Sequence, residues 1–94
     1  MTVEEVIENV KELCIRFSAR EVYLFGSRAK GTYLDRSDID IAVSGVDAFE
    51  DLLEAVEELP TLYTIDLLDI DRCRNLYLLE DIKTYGRKIY EKIL

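Results

Sequence analysis

The sequence predicts a small α/β domain, a mixed sheet of three to four strands with helices packed mainly on one face. Three observations carry that expectation. Apolar residues recur at helical spacing in separate segments, short β-branched and aromatic runs lie between those segments, and Gly26, Pro60 and Gly86 punctuate the alternation. Helical and extended signals that alternate along a chain point to helices laid on a sheet.

The first element is a helix. Thr2 and Glu5 have the spacing of a capping box, and Val3, Val6, Ile7, Val10, Leu13, Cys14 and Phe17 form one apolar stripe. Ser18 to Arg20 break the pattern, and "EVYLFG" follows as a buried strand ended by Gly26. Ser27 to Lys30 suit a single helical turn, and Gly31 to Ser37 a polar loop. "DIDIAV" alternates strictly, with Asp38, Asp40 and Ala42 on one side of a second strand and Ile39, Ile41 and Val43 on the other.

Asp47 and Glu50 have the spacing of a second capping box, opening a helix to Leu59 that Pro60 stops. Leu62 to Ile70 reads as a third strand. "RCRNLYLLEDIKTY" carries Leu76, Leu79, Ile82 and Tyr85 at helical spacing, with Gly86 as its C-terminal cap, and the tail Arg87 to Leu94 suits a fourth short strand.

Ninety-four residues are enough for one core and too few for separate catalytic and substrate domains, so residues 1–94 are expected to form one domain. A net charge of -8 disfavours phosphate backbones, and no stable direct binding of nucleic acid is expected. The absence of histidine removes Ser-His and Cys-His triads and most zinc sites, leaving carboxylates for general-base work. Cys14 and Cys73 fit neither a zinc spacing nor a disulfide framework. The acidic, amphipathic start is no signal peptide and no apolar run approaches the roughly 20 residues of a membrane span, so a cytoplasmic protein without membrane contact is expected.

The candidate chemistry lies in "LFGSRAKGTYLDRSDIDIAV". Gly26 permits close backbone approach and the Ser27 hydroxyl can grip a phosphate oxygen, although Gly-Ser after a strand is also an ordinary turn. Asp38 and Asp40 share one strand face. Two carboxylates about 4 Å apart repel by about 4 kcal/mol at an effective dielectric near 20, so the pair suits hard cations with oxygen ligands; a solvated Asp-x-Asp is the alternative. Asp66, between Ile65 and Leu67, is a third acid in an apolar run, whereas Asp69 and Asp71 sit near the strand end where solvation is easy. Convergence of Asp38, Asp40 and Asp66 would suit two metal ions and phosphoryl or nucleotidyl transfer.

Gly26-Ser27, ten residues, then Asp38-x-Asp40, with Asp66 downstream, resembles the signature of the DNA polymerase beta-like nucleotidyltransferases. The "GSRAKG" form and the chain length are similar to the minimal nucleotidyltransferases, the short antitoxins encoded with HEPN-domain toxins. The resemblance implies a nucleotidyltransferase-like fold. It implies that Asp38 and Asp40 bind two Mg2+ ions, that Asp66 completes the second metal site and helps deprotonate the acceptor, and that Gly26 and Ser27 hold the triphosphate of ATP. Arg28 and Lys30 could neutralise that triphosphate or be solvated, and Ser37 could brace the Asp-x-Asp strand or close the loop. The resemblance further implies AMP transfer to a tyrosine of a HEPN-type partner, in a hetero-complex or a homo-oligomer. A non-catalytic antitoxin that neutralises its partner by binding alone is the rival reading.

Overall fold

In the computed structural model, which describes residues 1–93, the elements run α1 (Val3–Arg16), β1 (Glu21–Phe25), α2 (Ser27–Lys30), β2 (Ile39–Ser44), α3 (Phe49–Glu57), β3 (Ile65–Asp69), a 3-10 turn (Ile70–Arg72), α4 (Leu76–Tyr85) and β4 (Arg87–Glu91). The four strands form one mixed sheet in the order β3-β2-β1-β4. β1 pairs antiparallel with β2 and β4, and β2 pairs parallel with β3. A parallel neighbour cannot be reached through a tight hairpin, which is why α3 stands between β2 and β3 as a crossover. The fourth strand lies where the sequence expects one, although Leu94, part of that expectation, falls outside the described residues.

Residue alternation divides the strands between two apolar clusters. Val22 and Leu24 of β1, with Ile39, Ile41 and Val43 of β2, face α1 and α3, where Val6, Val10, Cys14, Leu52 and Val56 complete the main core. Phe25 and Ala42 point to the opposite face and meet Ile82 of α4, flanked by Tyr23, Leu68 and Leu78. The two longer-range helices thus cover one face, and α4 crosses the other. Asp40 shares the α4 face because it is two residues from Ala42 on the same strand.

Local signals explain most element ends. Thr2 Oγ1 accepts from the Glu5 N–H at 3.1 Å while Glu5 Oε1 accepts from the Thr2 N–H at 3.0 Å, closing the capping box of α1. This pairing holds the Glu5 carboxyl below its ordinary range. The second expected capping box does not form. α3 starts at Phe49 after Ala48, with no side-chain cap, because the backbone turns into the helix one residue after Asp47. Asn75 caps α4 instead of an earlier residue, accepting from the Leu78 N–H at 3.1 Å. Gly86 ends α4 in extended rather than left-handed backbone, since the chain passes straight into β4.

Cys14 and Cys73 are both free thiols, and burial pushes the Cys14 thiol up to about 12, so it is unreactive at neutral pH. Among the described residues no helix is long and apolar enough to cross a membrane. Leu52 is 0% exposed at the centre of the α1–α3 side of the core. Leu52→Ala should therefore lower the unfolding free energy by about 2–5 kcal/mol, read as a reduced urea midpoint at unchanged slope.

Candidate functional site

The candidate residues meet at one end of the sheet. β1 runs out of the sheet at Gly26, while β2 and β3 enter it beside Asp38 and Asp66, so the end of one strand and the starts of two others share an edge. Across the antiparallel pair Phe25 stands opposite Asp40. In the parallel pair Asp40 stands opposite Asp66. Neighbouring strands are about 4.8 Å apart, and side chains at one register lean to the same face, so this pairing forces the two carboxylates together.

That closeness shows in the Asp40 carboxyl, which is pushed up from its ordinary 3.8 to about 6. Desolvation is the largest cause, followed by Asp66, which hydrogen-bonds the protonated form and repels the charged one, and then by the charge of Asp38. Among the described residues no lysine or arginine lies within ion-pair distance of Asp38, Asp40 or Asp66. Of the basic residues near the site, Lys30 pairs with Asp81 and Arg28 donates to backbone carbonyls, whereas Arg36 forms no ion pair among the described residues.

Gly26 makes the crowding possible. Its backbone (φ 72°, ψ -155°) lies in a region open essentially to glycine alone, and a Cβ there would overlap the Asp40 carboxylate. Ser27 opens α2 directly after this turn, half-buried, and the Gly26 carbonyl accepts from the Ala29 and Lys30 N–H groups at 3.2 Å. The first amides of the turn, Ser27 and Arg28, precede the helical hydrogen-bond ladder and face the Gly26 side.

Other residues singled out in the sequence are placed differently. Asp38 sits one residue before β2, exposed to solvent, with the Ile39 N–H tied to the Thr64 carbonyl at 2.9 Å. Among the described residues no three acidic or sulfur side chains already converge on one point, so Asp40 and Asp66 meet while Asp38 stands at their edge. Mutual repulsion accounts for the separation, since a third anion with access to water lowers its energy by turning outward. Asp66 is exposed and Asp69 is 9% exposed, the reverse of the sequence expectation. Asp69 is satisfied locally, with its Oδ1 accepting from the Asp71 N–H at 3.1 Å and Arg72 Nε 3.6 Å from its Oδ2.

Arg28 is 9% exposed and donates to the backbone carbonyls of Asp35 and Ser37. Lys30 pairs with Asp81 of α4 at 2.9 Å and lies 5.2 Å from the Tyr85 ring centre, which ties α2 to α4. Ser37 Oγ accepts from the Leu34 N–H at 2.8 Å and closes the loop before β2. A cavity of about 850 Å³ is lined by Met1, by Asp35 and Arg36 from that loop and by Leu59 to Thr64 ahead of β3, and none of Asp38, Asp40 and Asp66 lines it. Sequence reasoning passed over this groove. Its sequence signal is Pro60 between Leu59 and Thr61, an ordinary helix stop.

The donor set of Asp38, Asp40 and Asp66 is all oxygen and anionic, with no nitrogen or sulfur competitor. It fits a hard divalent cation such as Mg2+ and not a zinc site.

Residues 8–93 match the family described as polymerase beta, nucleotidyltransferase. A protein adenylyltransferase MntA of Shewanella oneidensis is 33% identical over 73 residues, covering 73% of this chain and 52% of that protein. The chain thus spans about half the length of the curated relative it matches. A crystal structure of a toxin–antitoxin with AMP-PNP is 26% identical at a TM-score of 0.66, over 96% of this chain and 74% of that one. A complex of a tri-AMPylated Shewanella oneidensis HEPN toxin with its MNT antitoxin has the same fold, with 21% identity, a TM-score of 0.62, and coverage of 95% of this chain and 72% of that one.

Two outcomes are expected from the site geometry. Gly26→Ala should destabilise the fold by about 1–3 kcal/mol in chemical denaturation, because the new Cβ meets both a forbidden backbone region and the Asp40 carboxylate. The second concerns pH. A carboxyl raised to about 6 binds its proton more tightly folded than unfolded, so its contribution is full below about 3.8 and is lost as pH rises through about 6. Asp40→Asn should therefore be more stable than the parent at pH 7 and lose that advantage near pH 4. The gain is about 1 kcal/mol once screening of this half-exposed group is allowed for. Parallel stability curves for the two proteins between pH 4 and 7 would contradict the shift.

Proposed function

The chain belongs to the polymerase beta nucleotidyltransferase family, and on that footing we propose that it transfers AMP from ATP, with Mg2+, to a hydroxyl of a protein partner. The acceptor is a tyrosine of a HEPN-type toxin, and the chain acts as the antitoxin. The observation that carries this reading is the Asp40–Asp66 pair, two carboxylates held in one register beside a glycine turn, with no cation within ion-pair distance among the described residues. A module that only binds gains nothing evident from such a pair, whose charge works against folding.

Each residue has a part in the proposed reaction. Asp38, Asp40 and Asp66 would hold the metal, which would supply neutralisation of charge on the triphosphate and on the attacking oxygen. Gly26 and Ser27 seat the phosphates at the end of β1. The tyrosine oxygen attacks the α-phosphorus, the bond from that phosphorus to the bridging oxygen breaks, and pyrophosphate leaves. The phenolic proton passes to a carboxylate, and the solvent exposure of Asp66 favours it for that part.

Two relatives support the parts of this reading that lie beyond the family. The relative at 33% identity is a protein adenylyltransferase, which favours AMP as the group and a protein as the acceptor. The toxin–antitoxin structure at 26% identity holds AMP-PNP, which favours an adenine nucleotide and an antitoxin setting. The HEPN identity of the partner rests on the "GSRAKG" resemblance.

The test is transfer of label from α-labelled ATP to a co-expressed HEPN-type toxin in the presence of Mg2+. Asp38→Asn and Asp40→Asn should each cut labelling by about 100-fold or more, the scale on which single charge-stabilising groups act in such transition states. Their unfolding midpoints should stay at or above that of the parent. Full labelling by these variants would overturn the assignment, and toxin neutralisation by them without labelling would favour inhibition by binding alone.

A further inference from the structure

The sequence offers Arg28 as a triphosphate ligand, but its surroundings give it another task. The guanidinium is 9% exposed in a chain of net charge -8, and among the described residues no carboxylate lies within ion-pair distance of it. A buried cation without an anionic partner is costly unless its donors are satisfied. Here Nε and Nη2 are satisfied by backbone carbonyls, and Nη1 is left to solvent. Nε and Nη2 donate to the Ser37 carbonyl at 3.2 and 2.9 Å, and Nη2 donates also to the Asp35 carbonyl at 3.1 Å. Both protons of Nη2 are thereby used, so no two-pronged edge of the fork remains open to an anion.

Two tyrosine rings also meet the guanidinium. The guanidinium carbon lies 4.9 Å from the Tyr33 ring centre and 5.5 Å from that of Tyr63. Tyr33 belongs to the loop before β2, and Tyr63 to the segment that leads into β3. One side chain, rooted two residues after Gly26, therefore touches the segment that delivers Asp38 and the segment that delivers Asp66. Its contact to Ser37 is on the residue directly before Asp38.

We propose that Arg28 is a positioning residue that fixes Asp38 and Asp66 relative to the Gly26-Ser27 turn, and that it does not bind the triphosphate. This rests on the nucleotidyltransferase reading for its catalytic consequence, while its structural half stands apart from it. Lysine keeps the charge but lacks the planar fork and stacks poorly, so Arg28→Lys separates geometry from electrostatics.

Hydrogen exchange by mass spectrometry and steady-state transfer kinetics on the full chain test the proposal together. In Arg28→Lys, amides of residues 31–38 should exchange about tenfold faster while those of β1 and the centre of β2 keep their protection. The Mg2+ concentration for half-maximal thermal protection in the presence of ATP should rise, and kcat for AMP transfer should fall by about 10–100-fold, with KM for ATP within twofold of the parent. Should Arg28→Lys fail to fold, Tyr33→Ala removes one ring from a half-exposed position and should loosen the same loop, to a smaller degree.

Unchanged exchange in residues 31–38, or a KM for ATP that rises while kcat holds, would overturn the proposal. Loss of protection spread over β1 and β2 in Tyr33→Ala would also overturn it, because the effect would then be general to the fold. If the parent itself transfers no AMP, the nucleotidyltransferase reading fails, and the exchange of residues 31–38 still decides whether Arg28 holds the loop.

Discussion

Like charges facing each other across the Asp40–Asp66 register set the terms for the surrounding structure. The register exists because β2 and β3 are parallel, and they are parallel because α3 carries the chain back over the sheet between them. Ile39, Ile41 and Val43 are each 0% exposed against the helices on that side, so β2 cannot slip by one residue without turning its aspartates into the core. Burial of the alternate residues therefore holds the two carboxylates where repulsion would part them. Gly26 supplies the space, and its lack of a side chain brings backbone rather than a methyl group to the Asp40 carboxylate.

Electrostatics around this pair run against anionic ligands. Lys30 is committed to Asp81, Lys88 to Glu21 and Glu91, and Arg28 to backbone carbonyls. The Lys88–Glu21 contact raises the lysine and lowers the carboxylate, each through the hydrogen bond between them, and it joins β4 to β1 at the sheet's far edge. With these three cations used for architecture, the Asp40–Asp66 pair itself favours a polyphosphate that arrives with hard cations. The same distribution explains why α2 lies close to the sheet end despite its single turn: Lys30 fastens it to α4 and Arg28 fastens it to the loop before β2.

Legibility in the sequence followed the range of the interaction responsible. The capping box at Thr2 and Glu5 was readable because its partners are three residues apart and no tertiary contact competes. Asp47 and Glu50 have the same spacing, yet α3 starts without a side-chain cap because the entry into the crossover is set by where Leu52 and Val56 must pack. The Gly26, Ser27, Asp38, Asp40 and Asp66 set was named from spacing, and the sheet brings Gly26, Asp40 and Asp66 into contact range. The burial of Asp69 and of Arg28 was not legible for one reason. Whether a charged side chain is buried depends on which segments pass over it, and those segments come from elsewhere in the chain.

By itself, the sequence determined the element types, the two-sided pattern of β2 and the presence of acids on its open face, since alternation and helical spacing are properties of neighbouring residues. Tertiary structure alone decided that Asp40 faces Asp66, that Asp38 stands outside their contact and that Arg28 turns away from solvent to bind carbonyls. Strand order, register and loop closure join residues far apart along the chain, and the free energy that selects among such pairings is spread over the whole core.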